Sequence, residues 1–312
     1  MITLCTVCLS PMEPYLEVLL DSVCKRLNCI SEVCITHVFK DEPKPIVEYT
    51  LTRHDGQSIY VKEITLPKNQ MHHEGRHYGH AEGLHSCLDH ATQDYVLFTD
   101  PDMFFYKDAD EFYLENYNKY NLNIIGVCHH WAHNLAVGWF PLVFNCLVKR
   151  DTLPNKEWMK DYLKYGRGIY QYWLGYSAID DEGKIVYDVD GTLVSEENFV
   201  SCPGKFLIQG CIPEFHEKFP NHNKAAKLQP IGFWWDIGCN LHLWNEERKG
   251  KWISFPTLDT HTYTAGIYRS NFKLKDKFKN QKLVYHLNNG YRVQIEDVNS
   301  YKLLVEKYKE TL

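Results

Sequence analysis

The chain has 312 residues, 44% of them hydrophobic and 14% aromatic, which is enough for a large core and too apolar for a disordered chain. Its formal net charge of −6, with no block of lysine or arginine, argues against a protein built to grip a nucleic-acid backbone. No apolar run approaches the roughly 20 residues of a membrane span, so a soluble protein is expected.

Residues 2–9 (ITLCTVCL) form a short apolar run with the look of a buried strand. No basic segment precedes it, and Pro11 and Pro14 interrupt it early, so it does not read as a secretory signal. From Tyr15 to Leu27 the residues Leu16, Leu19, Leu20, Val23 and Leu27 recur at helical spacing. The β-branched run EVCITHVF follows and ends at Lys40-Asp41-Glu42-Pro43. Ile59 to Leu66 alternates and stops at Pro67, Gly79 to Ala91 reads as a helix, and Tyr95 to Thr99 (YVLFT) is apolar throughout. Such a continuous run is expected of a strand covered on both faces. Strands alternating with helices predict an α/β fold with a parallel sheet and right-handed crossovers. Ligands of such sheets bind beyond the carboxyl ends of the strands.

The stretch 151–230 is less regular. It holds a Tyr/Trp-rich part from Tyr162 to Tyr176, a turn signal at Asp181-Glu182-Gly183, and loops with Pro203, Pro213 and Pro220. Val298 to Leu312 reads as a Lys-rich terminal helix. No stretch has a linker's composition, so a single domain over 1–312 is expected. The 11 cysteines show no disulfide rhythm, and Cys5, Cys8 and Cys34 lie in apolar runs. Free thiols in a reducing, cytoplasmic compartment are expected.

The strongest chemical signal is Thr99-Asp100-Pro101-Asp102, two carboxylates one residue apart directly after the apolar strand. On a solvent-facing loop at that point, both reach the same side of a ligand cleft. Hard carboxylate oxygens suit Mn²⁺ or Mg²⁺, which bridge to phosphate oxygens. The plain alternative is a turn whose aspartates cap the next segment. The histidine runs His72-His73-x₃-His77-x₂-His80 and Cys128-His129-His130-x₂-His133 lack the paired cysteine spacings of a structural zinc site.

The segment Gly79-His80-Ala81-Glu82-Gly83-Leu84, then Cys87 through Asp100-Pro101-Asp102, resembles the family-two-type nucleotide-sugar glycosyltransferases with a D-x-D motif. ITLCTVCL resembles their nucleotide-binding first β/α unit. Asn123-Ile-Ile-Gly-Val and Leu142 to Asp151 resemble the strands after the D-x-D. Trp235-Asp236-Ile237-Gly238 resembles the acidic helix start of the acceptor site, and Val284-Tyr285-His286 the late segment whose histidine ligates the metal. The likeness covers roughly 1–150 and 230–290. Ser10-Pro11-Met12 stands where the family has Asn-Arg, and a single acid stands where the acceptor motif has two.

The resemblance implies a GT-A fold, Rossmann-like, with a mixed, mainly parallel sheet flanked by helices. It implies a donor half at 1–105, an acceptor side at 106–312, and 151–230 as a specific insertion. It implies a hexosyl- or pentosyltransferase that takes a nucleoside-diphosphate sugar to a glycan or other hydroxyl acceptor, with inversion and with Mn²⁺ or Mg²⁺ as cofactor. A modified nucleobase stays open as acceptor. The metal would be held by Asp100, Asp102 and His286. The donor would meet Thr6, Arg76, His80 and Asp100, with Arg76 and His80 donating to diphosphate oxygens at the helix start. Asp236 is the expected catalytic base, and a helix N-cap is its structural alternative.

Two other readings compete. Ile185-Val-Tyr-Asp188-Val-Asp190-Gly-Thr matches the first motif of haloacid-dehalogenase phosphatases, with Asp188 as nucleophile and Asp190 as acid/base. The same residues also read as a hairpin turning at Asp190-Gly191. A non-catalytic carbohydrate-binding protein would instead use Tyr170, Tyr172, Trp173 and Tyr176 to stack on sugars.

Overall fold

The structure, a computed structural model, describes residues 1–9, 12–40, 42–67, 76–128, 140–141, 143–153, 188–189, 192–193, 241, 244–245, 248–256, 262–264, 268–275, 277–278, 282–287 and 298–312. In chain order the first part runs β1 (Ile2–Cys8), α1 (Glu13–Arg26), β2 (Ile30–Lys40), β3 (Val47–Thr52), β4 (Ser58–Pro67), α2 (Arg76–His90) and β5 (Tyr95–Thr99). Then follow β6 (Met103–Phe105), α3 (Ala109–Tyr120), β7 (Ile124–Cys128) and β8 (Asn145–Lys149). The last part holds the short strands β9 (Asp188–Val189) and β10 (Thr192–Leu193), then β11 (Trp252–Pro256), β12 (Thr262–Thr264), β13 (Arg269–Ser270), β14 (Lys282–His286) and helix α4 (Val298–Lys309).

Nine strands form one sheet in the order β13-β11-β7-β8-β5-β1-β2-β4-β3. β5, β1, β2 and β4 pair in parallel, as do β7 and β11, and β8 runs antiparallel between β5 and β7. β3 and β13 are antiparallel edges. This is the mixed, mainly parallel sheet with flanking helices expected from the sequence. It takes strands from the first and the later chain alike.

Local sequence explains the frame. Every residue of β1 is buried, as its unbroken apolar run requires of a central strand. α1 starts with a proline in its first turn beside Glu13 and ends on Lys25 and Arg26, charges that suit the helix dipole at each end. Its buried face is Tyr15, Leu16, Val18, Leu19, Ser22, Val23 and Arg26. α2 comes close to the sheet at Gly83, where an added Cβ would lie 2.7 Å from both methyl groups of Val7. The eight cysteines among the described residues are free thiols.

The chain lays down β1, β2 and β4 in one direction across the sheet. It then returns through α2 to place β5 on the other side of β1. The strand order therefore reverses between β1 and β2 on one side and β5 on the other, the kind of point where open α/β sheets bind ligands. The opposite end of these strands is closed by Glu32. Thr3 Oγ1 donates to it at 2.5 Å, Lys62 Nζ at 2.7 Å and the Thr92 N–H at 2.7 Å.

A second sheet has three antiparallel strands in the order β12-β14-β6. The segment 100–102 joins the two sheets, since β5 belongs to the first and β6 to the second. β6 is tied to α1, because the Phe105 N–H donates to Ser22 Oγ at 3.1 Å and Arg26 Nη1 donates to the Phe105 carbonyl at 3.0 Å. Arg26 also lies 4.7 Å over the Tyr308 ring of α4, and Tyr308 donates to Asp21 at 2.7 Å. Among the described residues no helix is long and apolar enough to cross a membrane.

β9 and β10 pair antiparallel, Val189 with Thr192 and Asp188 with Leu193, as the hairpin reading expects. A phosphatase nucleophile of the type considered would end a parallel strand that opens a nucleotide fold. Asp188 instead sits in a two-residue antiparallel ladder outside the large sheet, so nothing here supports the phosphatase alternative.

Candidate metal centre

β5 ends at the switch point, and the next three residues carry both aspartates. The Asp100 N–H donates to the Phe144 carbonyl at 3.0 Å, which fixes the chain as it leaves β5. Asp102 is held by its backbone too, its carbonyl accepting the Leu287 N–H at 3.1 Å. β6 then pairs with β14 so that Met103 lies opposite His286. This pairing brings a histidine from the far end of the chain to the two aspartates.

The result is a cluster of Asp100, Asp102 and His286 whose ligand atoms all lie within 4.8 Å of one another. His286 Nε2 stands 3.3 Å from Asp102 Oδ1 and 3.8 Å from Asp100 Oδ2. On the outer side, His80 Nε2 of α2 is 3.5 Å from Asp100 Oδ1. The expectation that Asp102 faces solvent is overturned. Its side chain is 0% exposed, because β6 and β14 close over it, while Asp100 keeps 21% exposure and forms the open side of the cluster.

The electrostatics favour a cation. Burial works to lower the pKa of His286, but the carboxylates of Asp102 and then Asp100 outweigh it and hold the imidazole above its ordinary value. One imidazole still faces two carboxylates. Burying a charged group is costly unless it is paired, and Asp102 Oδ2 has no hydrogen-bond partner among the described residues. Two hard carboxylate oxygens and an imidazole nitrogen, one side buried and one side open, fit a divalent ion such as Mn²⁺ or Mg²⁺ that shares its remaining positions with a ligand.

The other residues singled out in the sequence divide as follows. Thr6 lies within β1 opposite Ile35 and is fully buried. Arg76 begins α2, but its side chain is outside the described residues, and so is the whole of Asp236. Tyr170, Tyr172, Trp173, Tyr176 and Asp190 are outside them as well. Phe144 was not anticipated. Its ring stacks on His286, with centroids 5.3 Å and planes 19° apart. In the sequence it is one apolar residue at the start of a strand, and no local signal marks it.

No protein-family model matches the chain, and no curated protein is significantly similar to it. Among solved structures, remote matches are found at low identity and low TM-score. They include residues 1–349 of TarS from S. aureus (13% identity, 51% of this chain and 49% of that one, TM-score 0.32). They also include the mannosyltransferase PcManGT from Pyrobaculum calidifontis, solved with GDP-Man and Mn²⁺ (14% identity, 48% and 44%, TM-score 0.34). A third is the galactosyltransferase LgtC with donor and acceptor sugar analogues (11% identity, 55% and 67%, TM-score 0.34). The match spans about half the length of TarS.

Proposed function

We propose that the protein is a divalent-metal-dependent glycosyltransferase of the GT-A type. It would move a sugar from a nucleoside-diphosphate sugar to an acceptor hydroxyl. The observation that carries this reading is the Asp100-Asp102-His286 cluster at the switch point of the sheet. A cation held there would neutralise the charge that builds on the diphosphate as it leaves. Asp102 and His286 form the closed side of the site and would hold the ion, and Asp100 forms the open side, facing where a donor would lie. His80 stands next to Asp100 and would donate to a diphosphate oxygen, with Arg76 four residues before it on the same helix. Asp236 is the proposed base, accepting the proton of an acceptor hydroxyl as it attacks the anomeric carbon, with inversion. The donor side would be 1–105 and the acceptor side 106–312, with 151–230 as an insertion that shapes the acceptor pocket.

The experiment is a screen of nucleotide sugars for hydrolysis and transfer with Mn²⁺, repeated in EDTA. Turnover of one donor that disappears in EDTA is expected. Turnover untouched by EDTA, or phosphatase turnover that is lost in Asp188→Asn, would reject the reading.

A further inference from the structure

We infer that Phe144 is a positioning residue for the metal ligands, holding Asp100 through its backbone and His286 through its ring. The inference rests on the reading of Asp100, Asp102 and His286 as a cation site. Phe144 stands one residue before β8, at the same end of the sheet as the carboxyl end of β5, where Asn145 pairs with Thr99. From there its carbonyl accepts the Asp100 N–H at 3.0 Å. Its ring lies nearly parallel to the imidazole of His286 at a centroid distance of 5.3 Å. That separation is within the range of offset aromatic stacks. The stack covers one face of the imidazole and leaves the Nε2 edge toward the carboxylates, 3.3 Å from Asp102 and 3.8 Å from Asp100.

Phe144 is itself buried in the core, so the surface it presents to His286 is fixed by packing. Two ligands that lie far apart in the chain thus depend on one neighbour. A ligand pocket needs this, because cation affinity depends on the direction as well as the identity of each ligand. Groups that orient ligands are typically worth about 10–100-fold in metal affinity. Phe144 touches no reacting atom, and its effect runs through the orientation of His286 and the path of the chain at Asp100.

The test measures Mn²⁺ binding alone, by counting free Mn²⁺ with electron paramagnetic resonance, beside thermal melts of the same samples. Phe144→Leu keeps apolar volume and removes the flat ring, and it should weaken Mn²⁺ binding by about 10–100-fold. Phe144→Tyr restores the ring face and should restore the affinity. Val148→Ala, four residues further on in β8 and fully buried, should lower the melting temperature and leave Mn²⁺ binding as in the wild type. Asp102→Asn should abolish the binding. If Phe144→Leu binds Mn²⁺ as tightly as the wild type while Asp102→Asn does not, the inference is overturned and the cation site stands. If Val148→Ala weakens binding as much as Phe144→Leu, the effect is a general loss of core packing, and the positioning role is rejected. If Asp102→Asn binds as the wild type does, the reading of the site fails, and the inference with it.

Discussion

At the scale of single residues, Asp102 is the clearest case. The sequence shows a carboxylate after a buried strand, and that much was legible. Its complete burial was not, because the cover comes from β14, nearly two hundred residues later in the chain. The burial changes what a substitution should do. Asp102→Asn removes one of two carboxylates that face a single imidazole and leaves Asp100 3.8 Å from His286 as its partner, so in chelator the variant should melt close to the wild type. Added Mn²⁺ should raise the melting temperature of the wild type, because an ion that binds only the folded state stabilises it by mass action. It should leave the variant unmoved. Melts of both proteins with and without Mn²⁺ test this, and an equal rise in both would sink the assignment of Asp102. Asp236 belongs to the same scale. If it is the base, Asp236→Asn should keep donor affinity and lower the transfer rate by about 10²–10⁴-fold. Calorimetry for the donor and the transfer rate at saturating donor separate the two effects. Lost affinity at an unchanged rate would mean that it organises the donor pocket instead.

At the scale of elements, the strands that flank the switch point were readable from their apolar runs, and β5 falls where the pattern sets it. α3 was not, although its buried residues Ala109, Asp110, Tyr113, Asn116 and Tyr117 do keep helical spacing. Two of the five are polar. Asp110 is buried to accept the Cys29 N–H at 2.5 Å, so hydrophobic periodicity passes the helix by. β3 escaped for a different reason. It is an exposed edge strand, with little burial to write a pattern into the sequence. β6 is three residues long, and its pairing with β14 is a long-range fact.

Two predictions sit at this scale. β7 and β8 approach so closely that a Cβ on Gly126 would lie 2.3 Å from the Asn145 carbonyl oxygen and 2.6 Å from the Cys146 Cα. The nearest atoms are backbone of the adjoining strand and cannot yield as a side-chain end could, so Gly126→Ala should destabilise by about 1–3 kcal/mol or more in denaturant melts. The other concerns acid. Burial pushes the Glu32 pKa up, but hydrogen bonds from Lys62, Thr3 and Thr92 outweigh it, and the carboxyl is held below its ordinary value. A carboxylate with a lowered folded pKa adds stability above its unfolded pKa. That stability is lost as pH falls from the ordinary glutamate range through the folded value. Glu32→Gln should therefore be less stable than the wild type at neutral pH, with the gap closing in acid. Melts from pH 7 down to pH 3 measure it, and a gap that stays constant would deny the role.

At the scale of the molecule, the design is two sheets joined at the point where the chemistry is proposed. The large sheet delivers Asp100 at the end of β5, and the small sheet delivers Asp102 and His286 at the start of β6 and the end of β14. α1 and α4 brace β6 from behind through Ser22, Arg26 and Tyr308. The α/β class was legible because alternating strands and helices leave a plain periodicity. The second sheet was not, because its three short strands carry too few residues for a period and meet only in three dimensions. The most direct measurement is a calorimetric titration of a nucleoside diphosphate, with UDP and GDP in turn, into the protein with Mn²⁺ and again in EDTA. Binding of at least one of them that requires Mn²⁺ and is lost in Asp102→Asn is the predicted result. A nucleotide that binds equally well in EDTA, or equally well to the variant, would contradict the proposal that this cluster holds the metal for the donor diphosphate.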